Sequence, residues 1–249
     1  MKLKKLKESE SKMAEYKKRF DNRKADELRE IEAKTGIIKR ADGSAMFKIG
    51  KTIALAAVYG PRELHPRFLQ NPEKGVLRCN YNMMSFSGAG ERVRPGPNRR
   101  SREISMITEK ALLPVLDMEK YPKTVIDIFI ELIQTDAGTR CAGICAAALA
   151  LADAGIPMRD LVSSVSVGVV GNSVVADLNK EEEDFEGGTT DIPVAMLPRT
   201  GEISLLQLDG SVKKEQLKQA LELARKSCEK IYQIQKQAIK ARYKGEKNG

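Results

Sequence analysis

An apolar strand followed by an alanine-rich helix is the feature that most constrains the fold of this chain. Residues 124–134 (TVIDIFIELIQ) are apolar nearly throughout, as is typical of a strand buried on both faces. Residues 139–154 are rich in alanine and lack proline, and Gly155 and Pro157 then supply a helix stop. A strand and a helix that both need burial predict a layered core with the other elements packed around them.

Short strands and single helices make up the rest of the predicted order. A helix is expected over residues 101–113, and a long amphipathic helix with a 3.6-residue apolar period is expected from about residue 211. The sequence Ala-Asp-Gly-Ser at 41–44 predicts a hairpin turn. The further strands are expected at residues 36–40, 45–49, 52–59, 76–84, 163–170, 173–177, 192–197 and 203–208. The order ββββ-α-β-α-ββββ-α predicts an α+β fold with sheets and helices packed in layers.

The ends of the chain carry most of its positive charge. Residues 1–24 contain ten basic and four acidic residues, and the pattern predicts a charged N-terminal arm before a single domain over 25–244 and a tail over 245–249. The net charge is +9, but the region between the two basic ends is slightly acidic. Basicity alone therefore gives no argument for nucleic-acid binding by the body, and only local clusters can.

Membrane insertion and secretion are not expected. No run of eighteen apolar residues exists in the sequence, which argues against a membrane-spanning helix. The lysine-rich N-terminus is not followed by the apolar segment of a signal peptide. We therefore expect a cytoplasmic protein.

Cysteine and histidine chemistry are both disfavoured. Cys141 and Cys145 share one helix face and could hold a metal, but two small apolar side chains facing a core is the favoured interpretation. The single histidine, His65, stands between Leu64 and Pro66 in a predicted loop, which argues against a Ser-His-Asp mechanism.

The segment Thr135-Asp-Ala-Gly-Thr-Arg140 predicts an anion site at a helix N-terminus. Free N–H groups and the helix dipole attract anions there, Gly138 permits close backbone approach, and Thr139 and Arg140 add a hydroxyl and a forked cation. Phosphate or a phosphodiester is the expected ligand. The alternative is a plain N-cap, in which Thr139 caps the helix and Arg140 pairs with Asp136.

A loop dense in arginine precedes the helix expected at 101–113. Five arginines stand among residues 92–102 on a Gly/Pro frame, and arginine favours bidentate phosphate contacts. The pattern fits either an RNA backbone or an acidic partner surface, and Arg62 and Arg67 could extend it. Aromatic residues are sparse near these loops, which favours backbone tracking over base stacking.

An acidic loop leads into the strand expected at 192–197. Asp191 stands directly before this apolar strand, where partial desolvation raises a carboxyl pKa and suits it to proton donation. Asp184 and Asp191 could instead share a divalent cation through their oxygen atoms. An anion turn, an arginine cluster and a pair of carboxylates together are what phosphoryl transfer without histidine requires.

Five segments carry a resemblance to a known family. They are residues 39–45 (KRADGSA), 56–67 (AAVYGPRELHPR), 97–100 (PNRR), 134–140 (QTDAGTR) and 150–160 (ALADAGIPMRD). They resemble the RNase PH family, and within it the catalytic subunits of archaeal exosomes. The likeness runs from about residue 21 to residue 243.

The resemblance implies a fold, an activity and an assembly. The fold would be the RNase PH fold, with two βαβα halves similar to domain 2 of ribosomal protein S5. The activity would be phosphate-dependent 3′→5′ degradation of single-stranded RNA to nucleoside diphosphates, with RNA tailing as the reverse reaction. The assembly would be a hexameric ring, a trimer of heterodimers with a related non-catalytic subunit, carrying RNA-binding cap subunits.

The resemblance also implies roles for individual residues. Those that would hold the attacking inorganic phosphate are Gly138, Thr139 and Arg140. Those that would grip the RNA near its 3′ end are Arg67, Arg99 and Arg100. Asp191 would be the general acid and Asp184 the second carboxylate, with Mg²⁺ held by the two.

Departures from the family pattern leave alternatives open. The interval from Asp184 to Asp191 is one residue longer than expected, so the role of Asp184 could fall to Glu183 or Glu186. Near the N-terminus, Asp21-Asn-Arg23 replaces the usual Asp-Gly-Arg. Two rival functions are a non-catalytic RNA-binding ring subunit and a stand-alone enzyme that trims tRNA 3′ ends.

Overall fold

A five-stranded sheet forms the first layer of the computed structural model, which describes residues 16, 18–90, 92–94 and 96–245. The strand order is β1-β2-β3-β5-β4, and β4 runs parallel to β5 while the other pairs are antiparallel. Its strands are β1 (Ile31–Thr35), β2 (Gly43–Ile49), β3 (Thr52–Glu63), β4 (Val76–Met83) and β5 (Thr124–Gln134).

A four-stranded antiparallel sheet forms the second layer, in the order β7-β6-β8-β9. Its strands are β6 (Ser163–Val170), β7 (Ser173–Ala176), β8 (Thr189–Leu197) and β9 (Glu202–Leu206). All residues of β6 are buried, and this strand has a neighbouring strand on each side and packs against two helices.

Among the described residues, four α-helices pack with the sheets. They are α1 (Arg99–Leu112), α2 (Thr139–Asp153), the single turn α3 (Lys180–Glu183) and α4 (Lys214–Gly245). Helix α2 contacts strands of both sheets, and twelve of its fifteen residues are buried. A helix that is apolar all round needs such a central place. The approach is close: a Cβ on Gly43 of β2 would lie 2.2 Å from the backbone nitrogen of Ala154.

Helix α4 covers the second sheet and is held by buried polar contacts. Gln235 accepts a 2.7 Å hydrogen bond from the hydroxyl of Ser163 on β6. Arg242, near the end of α4, pairs with the buried carboxylate of Asp153 at 2.7 Å, at the C-terminal end of α2. The last helix is thereby tied to the core helix.

The predicted α+β class is confirmed, and the element order agrees with the prediction apart from one added helix. Strands β5 and β6 have the predicted bounds, and each half of the chain runs strands, helix, strands, helix. One-turn helix α3 was not predicted. It rests on a capping box in which the Asn179 side chain accepts from the Glu182 N–H and the Glu182 side chain accepts from the Asn179 N–H.

The predicted strand at 36–40 is wrong. The first strand is Ile31–Thr35, and Gly36 then leaves the sheet with a left-handed φ of 69°. The predicted hairpin turn at 41–44 is also wrong, because Gly43 and Ser44 already belong to β2. The tight hairpin of this region joins β2 to β3 through Gly50 and Lys51.

The described N-terminal residues pack against the body. Tyr16 and Arg19 are both buried, at 8% and 5% exposure. Residues 1–15, which make up most of the predicted charged arm, and residues 246–249 of the predicted tail lie outside the described residues. Within the described part of the chain, no helix combines the length and apolarity that crossing a bilayer requires.

Candidate active site

A cleft of about 550 Å³ opens where the N-terminus of α2 meets α3, strand β8 and the loop that follows β4. Five of the residues that the sequence selected line it, and they are Arg100, Gly138, Thr139, Arg140 and Asp191. These residues come from three separate segments. The fold therefore brings the predicted anion turn, one loop arginine and the predicted acid to one place.

The residues of the turn before α2 line the cleft. Ala137 and Gly138 both adopt left-handed φ angles, 57° and 62°, and such backbone strain at a non-glycine residue is typical of functional sites. Thr52 holds the turn from behind: its hydroxyl donates to the carbonyl of Ala137 at 2.8 Å and accepts from the N–H of Asp136 at 2.9 Å.

The first N–H groups of α2 have no partner within the helix. The first helical bond runs from Ala142 to the carbonyl of Gly138 at 3.0 Å, so the N–H groups of Thr139, Arg140 and Cys141 precede the helical ladder. The plain N-cap alternative does not match the structure. The N-cap residue is Gly138 with no side-chain cap, and Arg140 donates to Gln207 and not to Asp136.

Two guanidinium groups add positive charge to the cleft. Arg140 is in the first turn of α2, and Arg100 is the second residue of α1. The first turn of α1 carries no acidic residue, and cations at a helix N-terminus are unfavourable with respect to the helix dipole. An arrangement that is unfavourable for the empty protein becomes favourable once an anion is bound between these helix ends.

Asp191 is held rigidly and is partly desolvated. Its backbone pairs with Asp209 in both directions, at 3.0 and 2.8 Å, and the hydroxyl of Ser166 on β6 donates to its carboxylate. Burial raises the pKa of Asp191 above its ordinary value, although the bond from Ser166 and the charge of Arg140 oppose the shift. A raised pKa keeps a proton available for donation.

A second carboxylate in the cleft belongs to Glu183, not to Asp184. Glu183 lines the cleft, and burial followed by the charge of Asp191 raises its pKa. Asp184 is the residue after α3 and does not line the cleft. Its side chain is 63% exposed and pairs with Lys180 at 2.8 Å. Two neighbouring acids with raised pKa values suit the sharing of protons or of a cation.

Replacing Asp191 by Asn should stabilise the protein at neutral pH. A carboxyl whose pKa is raised by folding contributes stability below its unfolded pKa, and that stability is lost as pH rises through the folded pKa. Asp191→Asn removes the buried charge, and each pKa unit is worth about 1.4 kcal/mol. Thermal melts should give a Tm above that of the parent protein by about 2–4 °C per kcal/mol, with a difference that grows from acidic to neutral pH.

Asp127 of β5 supplies the matched control for this melt series. It is 1% exposed, and although burial opposes its ionisation, hydrogen bonds from Arg78 and Arg62 outweigh burial and lower its pKa. Asp127→Asn should therefore be less stable than the parent protein at neutral pH. Equal Tm values for Asp191→Asn and the parent at every pH would contradict the desolvated state of Asp191.

Two arginines that the resemblance selected lie outside the cleft lining. Arg99, the first residue of α1, is exposed. Arg67 lies in the loop between β3 and β4 with its side chain 81% exposed, 3.6 Å from Glu63. Among the described residues neither has a contact that fixes it against the cleft, so their contact with RNA near its 3′ end stays a prediction.

Several cleft features escaped the sequence analysis. Ser166 is one of several serines and valines in β6, and no local signal distinguishes it. Lys51, in the turn between β2 and β3, also lines the cleft. The two glycines of the loop after β4, Gly88 and Gly90, form part of the wall, and their small size beside arginines was the available signal.

The side chains of the cleft fit one oxygen-coordinated cation. Within the described residues no group of three or more His, Cys, Asp or Glu side chains is arranged to hold a metal. Mg²⁺, however, is usually held by one or two carboxylates together with substrate phosphates, and Asp191 and Glu183 meet that need. Cys141 also lines the cleft, but burial raises its pKa to about 12, which argues against thiolate chemistry.

Comparison with protein families gives two adjoining matches. Residues 27–157 match domain 1 of the 3′ exoribonuclease family RNase PH, and residues 160–227 match domain 2. The exosome complex component Rrp41 of Methanopyrus kandleri is 51% identical over 92% of this chain and 94% of its own length. That of Pyrococcus furiosus is 52% identical over 91% and 89%.

Solved structures share the fold at low sequence identity. Rrp46 of rice (Oryza sativa) superposes with a TM-score of 0.77 at 24% identity, covering 88% of this chain and 98% of its own. A chain of the Archaeoglobus fulgidus exosome, solved with RNA bound to the active site, gives a TM-score of 0.74 at 22% identity, covering 91% and 97%.

Proposed function

The chain belongs to the 3′ exoribonuclease family RNase PH, and we propose that it is the catalytic subunit of an archaeal-type exosome, which degrades single-stranded RNA from its 3′ end with inorganic phosphate as co-substrate. The relatives that are about half identical over most of the chain are exosome components. We place this activity in the cytoplasm, where such a complex meets its RNA.

One observation carries the proposal: an anion turn, two guanidinium groups and two carboxylates with raised pKa values line the same cleft. Two unit negative charges 4 Å apart repel by about 4 kcal/mol at an effective dielectric near 20. Phosphate therefore attacks a phosphodiester only where cations surround both anions. Arg140 and the first N–H groups of α2 would bind the inorganic phosphate, and Arg100 would bind the RNA phosphodiester.

The proposed reaction transfers one nucleotidyl group from the RNA to inorganic phosphate. A phosphate oxygen held at Thr139 and Arg140 attacks the phosphorus of the last phosphodiester, and the bond from that phosphorus to the 3′-oxygen of the preceding nucleotide breaks. Asp191 donates its proton to the leaving 3′-oxygen and is reprotonated from solvent. The products are a nucleoside 5′-diphosphate and an RNA shorter by one nucleotide. The reverse reaction extends RNA from nucleoside diphosphates.

A bound Mg²⁺ would neutralise charge on the transferred phosphate. In this chain the carboxylate of Glu183 and the oxygen of Asp191 that carries no proton are the groups that would hold it. Asp184 is not among the residues that line the cleft, and its exposed carboxylate pairs with the ammonium group of Lys180 at 2.8 Å.

A comparison of two acid variants tests which residue is the second carboxylate. Glu183→Gln should lower kcat by roughly 10²-fold, because it removes a charge beside the reacting groups, whereas Asp184→Asn should lower it by less than about tenfold. The measurement is the single-turnover rate at saturating phosphate, together with its Mg²⁺ dependence. The reverse order of effects would return the role to Asp184.

Assembly into a ring is part of the proposal. Strand β9 is an edge strand of the second sheet, and three large apolar side chains on or just after it, Ile203, Leu206 and Leu208, are 44–47% exposed. An exposed apolar sheet edge is a ready surface for pairing with another subunit. We propose the related non-catalytic subunit as the neighbour, in a trimer of heterodimers with RNA-binding cap subunits. Arg67 and Arg99 would then contact RNA upstream of its 3′ end.

The direct test of the proposed function is a product assay. The chain, mixed with its ring partner and a 5′-labelled single-stranded RNA, should shorten the RNA only when inorganic phosphate is present, and should release nucleoside diphosphates. RNA binding without any decay would favour the non-catalytic ring subunit. Decay by the chain alone, as a homohexamer with preference for tRNA ends, would favour the stand-alone enzyme.

A further inference from the structure

The described residues before β1 do not line the cleft, yet they bury two arginines. Arg19 is 5% exposed and Arg29 is 9% exposed. Arginine is rarely buried unless it is paired, so each must have a specific partner. We call Tyr16 together with residues 18–29 the N-terminal clamp. Its two buried arginines reach two different walls of the cleft.

Arg19 holds the helix that carries the second carboxylate. Its guanidinium forms a bidentate pair with Glu182 of α3, at 2.8 Å from Nε to Oε1 and 2.7 Å from Nη2 to Oε2. The hydroxyl of Tyr16 donates to the same carboxylate at 2.7 Å. Arg19 also donates to the carbonyls of Ala176 and Asp177, each at 2.8 Å, so it ties the end of β7 to α3.

Arg29 holds the anion turn. Its Nε and Nη2 donate to the two carboxylate oxygens of Asp177 at 2.9 and 2.6 Å, and its Nη1 donates to the carbonyl of Asp136. Its Nη1 also lies 3.6 Å from the carboxylate of Asp136. A Cβ built on Gly138 would lie 3.5 Å from Arg29, so this guanidinium lies directly behind the turn.

The two segments that these arginines hold cannot maintain their own geometry. Helix α3 has four residues, and a single helical turn is unstable in isolation. The turn has left-handed φ angles at Ala137 and Gly138, which persist only where the surroundings enforce them. Catalytic groups must stay within about 0.5 Å of their productive positions, so segments of this kind depend on supporting contacts.

We propose that Arg29 and Arg19 are separate positioning residues of this active site, with Arg29 fixing the turn that binds phosphate and Arg19 fixing the helix that presents Glu183. The inference rests on the proposed function. It makes the N-terminal clamp part of the catalytic apparatus, although none of its residues touches a reacting atom. Both arginines bind Asp177, but Arg19 otherwise holds Glu182 and Arg29 otherwise holds the carbonyl of Asp136, so their losses should change different kinetic constants.

The test is a kinetic comparison of two variants in the assembled complex, with phosphate concentration as the variable. Arg29→Gln leaves the Asp136 carbonyl and the turn unsupported, and it should raise KM for phosphate by roughly 10–100-fold with kcat within about threefold of the parent value. Arg19→Gln frees α3, and it should lower kcat by roughly 10–100-fold with KM for phosphate within about threefold.

Arg242→Gln is the matched control. Arg242 also pairs with a buried carboxylate, that of Asp153, at 2.7 Å, but it does so at the opposite end of α2 from the anion turn. The Arg242→Gln variant should have a lower melting temperature, but its kcat and its KM for phosphate should both stay within about threefold of the parent values. If Arg29→Gln does not fold, Arg29→Lys replaces it in the test. Lysine keeps the charge but cannot bridge Asp177 and Asp136, so this variant should still raise KM for phosphate by at least about fivefold.

Two results would overturn the inference. One is an unchanged KM for phosphate in both Arg29 variants. The other is a common effect, in which the Arg19, Arg29 and Arg242 variants lose activity only in proportion to lost stability. These results differ from a failure of the proposed function, which would show itself as the absence of phosphate-dependent decay in the parent complex.

Discussion

Asp191→Asn should reduce phosphate-dependent RNA decay by roughly 10²–10⁴-fold while RNA binding is retained, because general acid catalysis contributes an effect of that size. The amide fits the same space and can still accept the hydrogen bond from Ser166, but it has no proton to give to the leaving 3′-oxygen. The measurement is the single-turnover rate of shortening of a labelled RNA, with RNA affinity determined in parallel.

Asp160→Asn is the control for nonspecific damage. Asp160 is also buried, at 8% exposure, and it accepts hydrogen bonds from the N–H groups of Leu161 and Arg199 and from the hydroxyl of Tyr232, away from the cleft lining. This variant should keep its decay rate within about threefold, whatever its stability. Unchanged decay in Asp191→Asn would remove the general acid from the account and favour a non-catalytic ring subunit.

Arg140→Gln should raise KM for phosphate by roughly 10²–10³-fold, because it removes the only forked cation in the first turn of α2 within the described structure. The N–H groups of the turn remain, so binding is weakened and not abolished. Initial decay rates measured over a wide range of phosphate concentrations give the constant. Saturating RNA in each assay separates the effect on phosphate from any effect on RNA.

Arg78→Gln is the corresponding control. Arg78 of β4 forms a bidentate pair with Asp127 at 2.6 and 2.9 Å and does not line the cleft. Its loss removes one surface guanidinium and one ion pair, so KM for phosphate should stay within about threefold. A KM for phosphate in Arg140→Gln equal to that of the parent would show that the anion turn is not the phosphate site.

The parts of the fold that depend on local signals could be predicted from the sequence. The apolar run at 124–134 forms β5, and the alanine-rich run after Gly138 forms α2, because both combine strong burial with clear stop signals. The prediction of a strand at 36–40 was wrong because of a contact between distant parts of the chain. Gly36 leaves the sheet there, and the guanidinium of Arg242, from the other end of the chain, packs against it.

In the candidate site, too, residues with clear local signals could be predicted from the sequence and the others could not. Gly138, Thr139, Arg140 and Asp191 stand in short motifs beside strong elements, and their chemistry could be inferred from neighbouring residues. The sequence could not show whether Glu183 or its neighbour Asp184 faces the cleft, because that depends on the orientation of a single helical turn. The orientation is set by a pair between residues 163 positions apart, Arg19 and Glu182, and no local pattern reports such a contact.

Crystals of the chain soaked in inorganic phosphate test the central claim most directly, namely that the turn opening α2 binds phosphate beside the catalytic acid. We expect density for one tetrahedral anion within hydrogen-bonding distance of the Thr139 and Arg140 N–H groups and of the Arg140 guanidinium. A vacant turn at a phosphate concentration that saturates RNA decay would contradict the account.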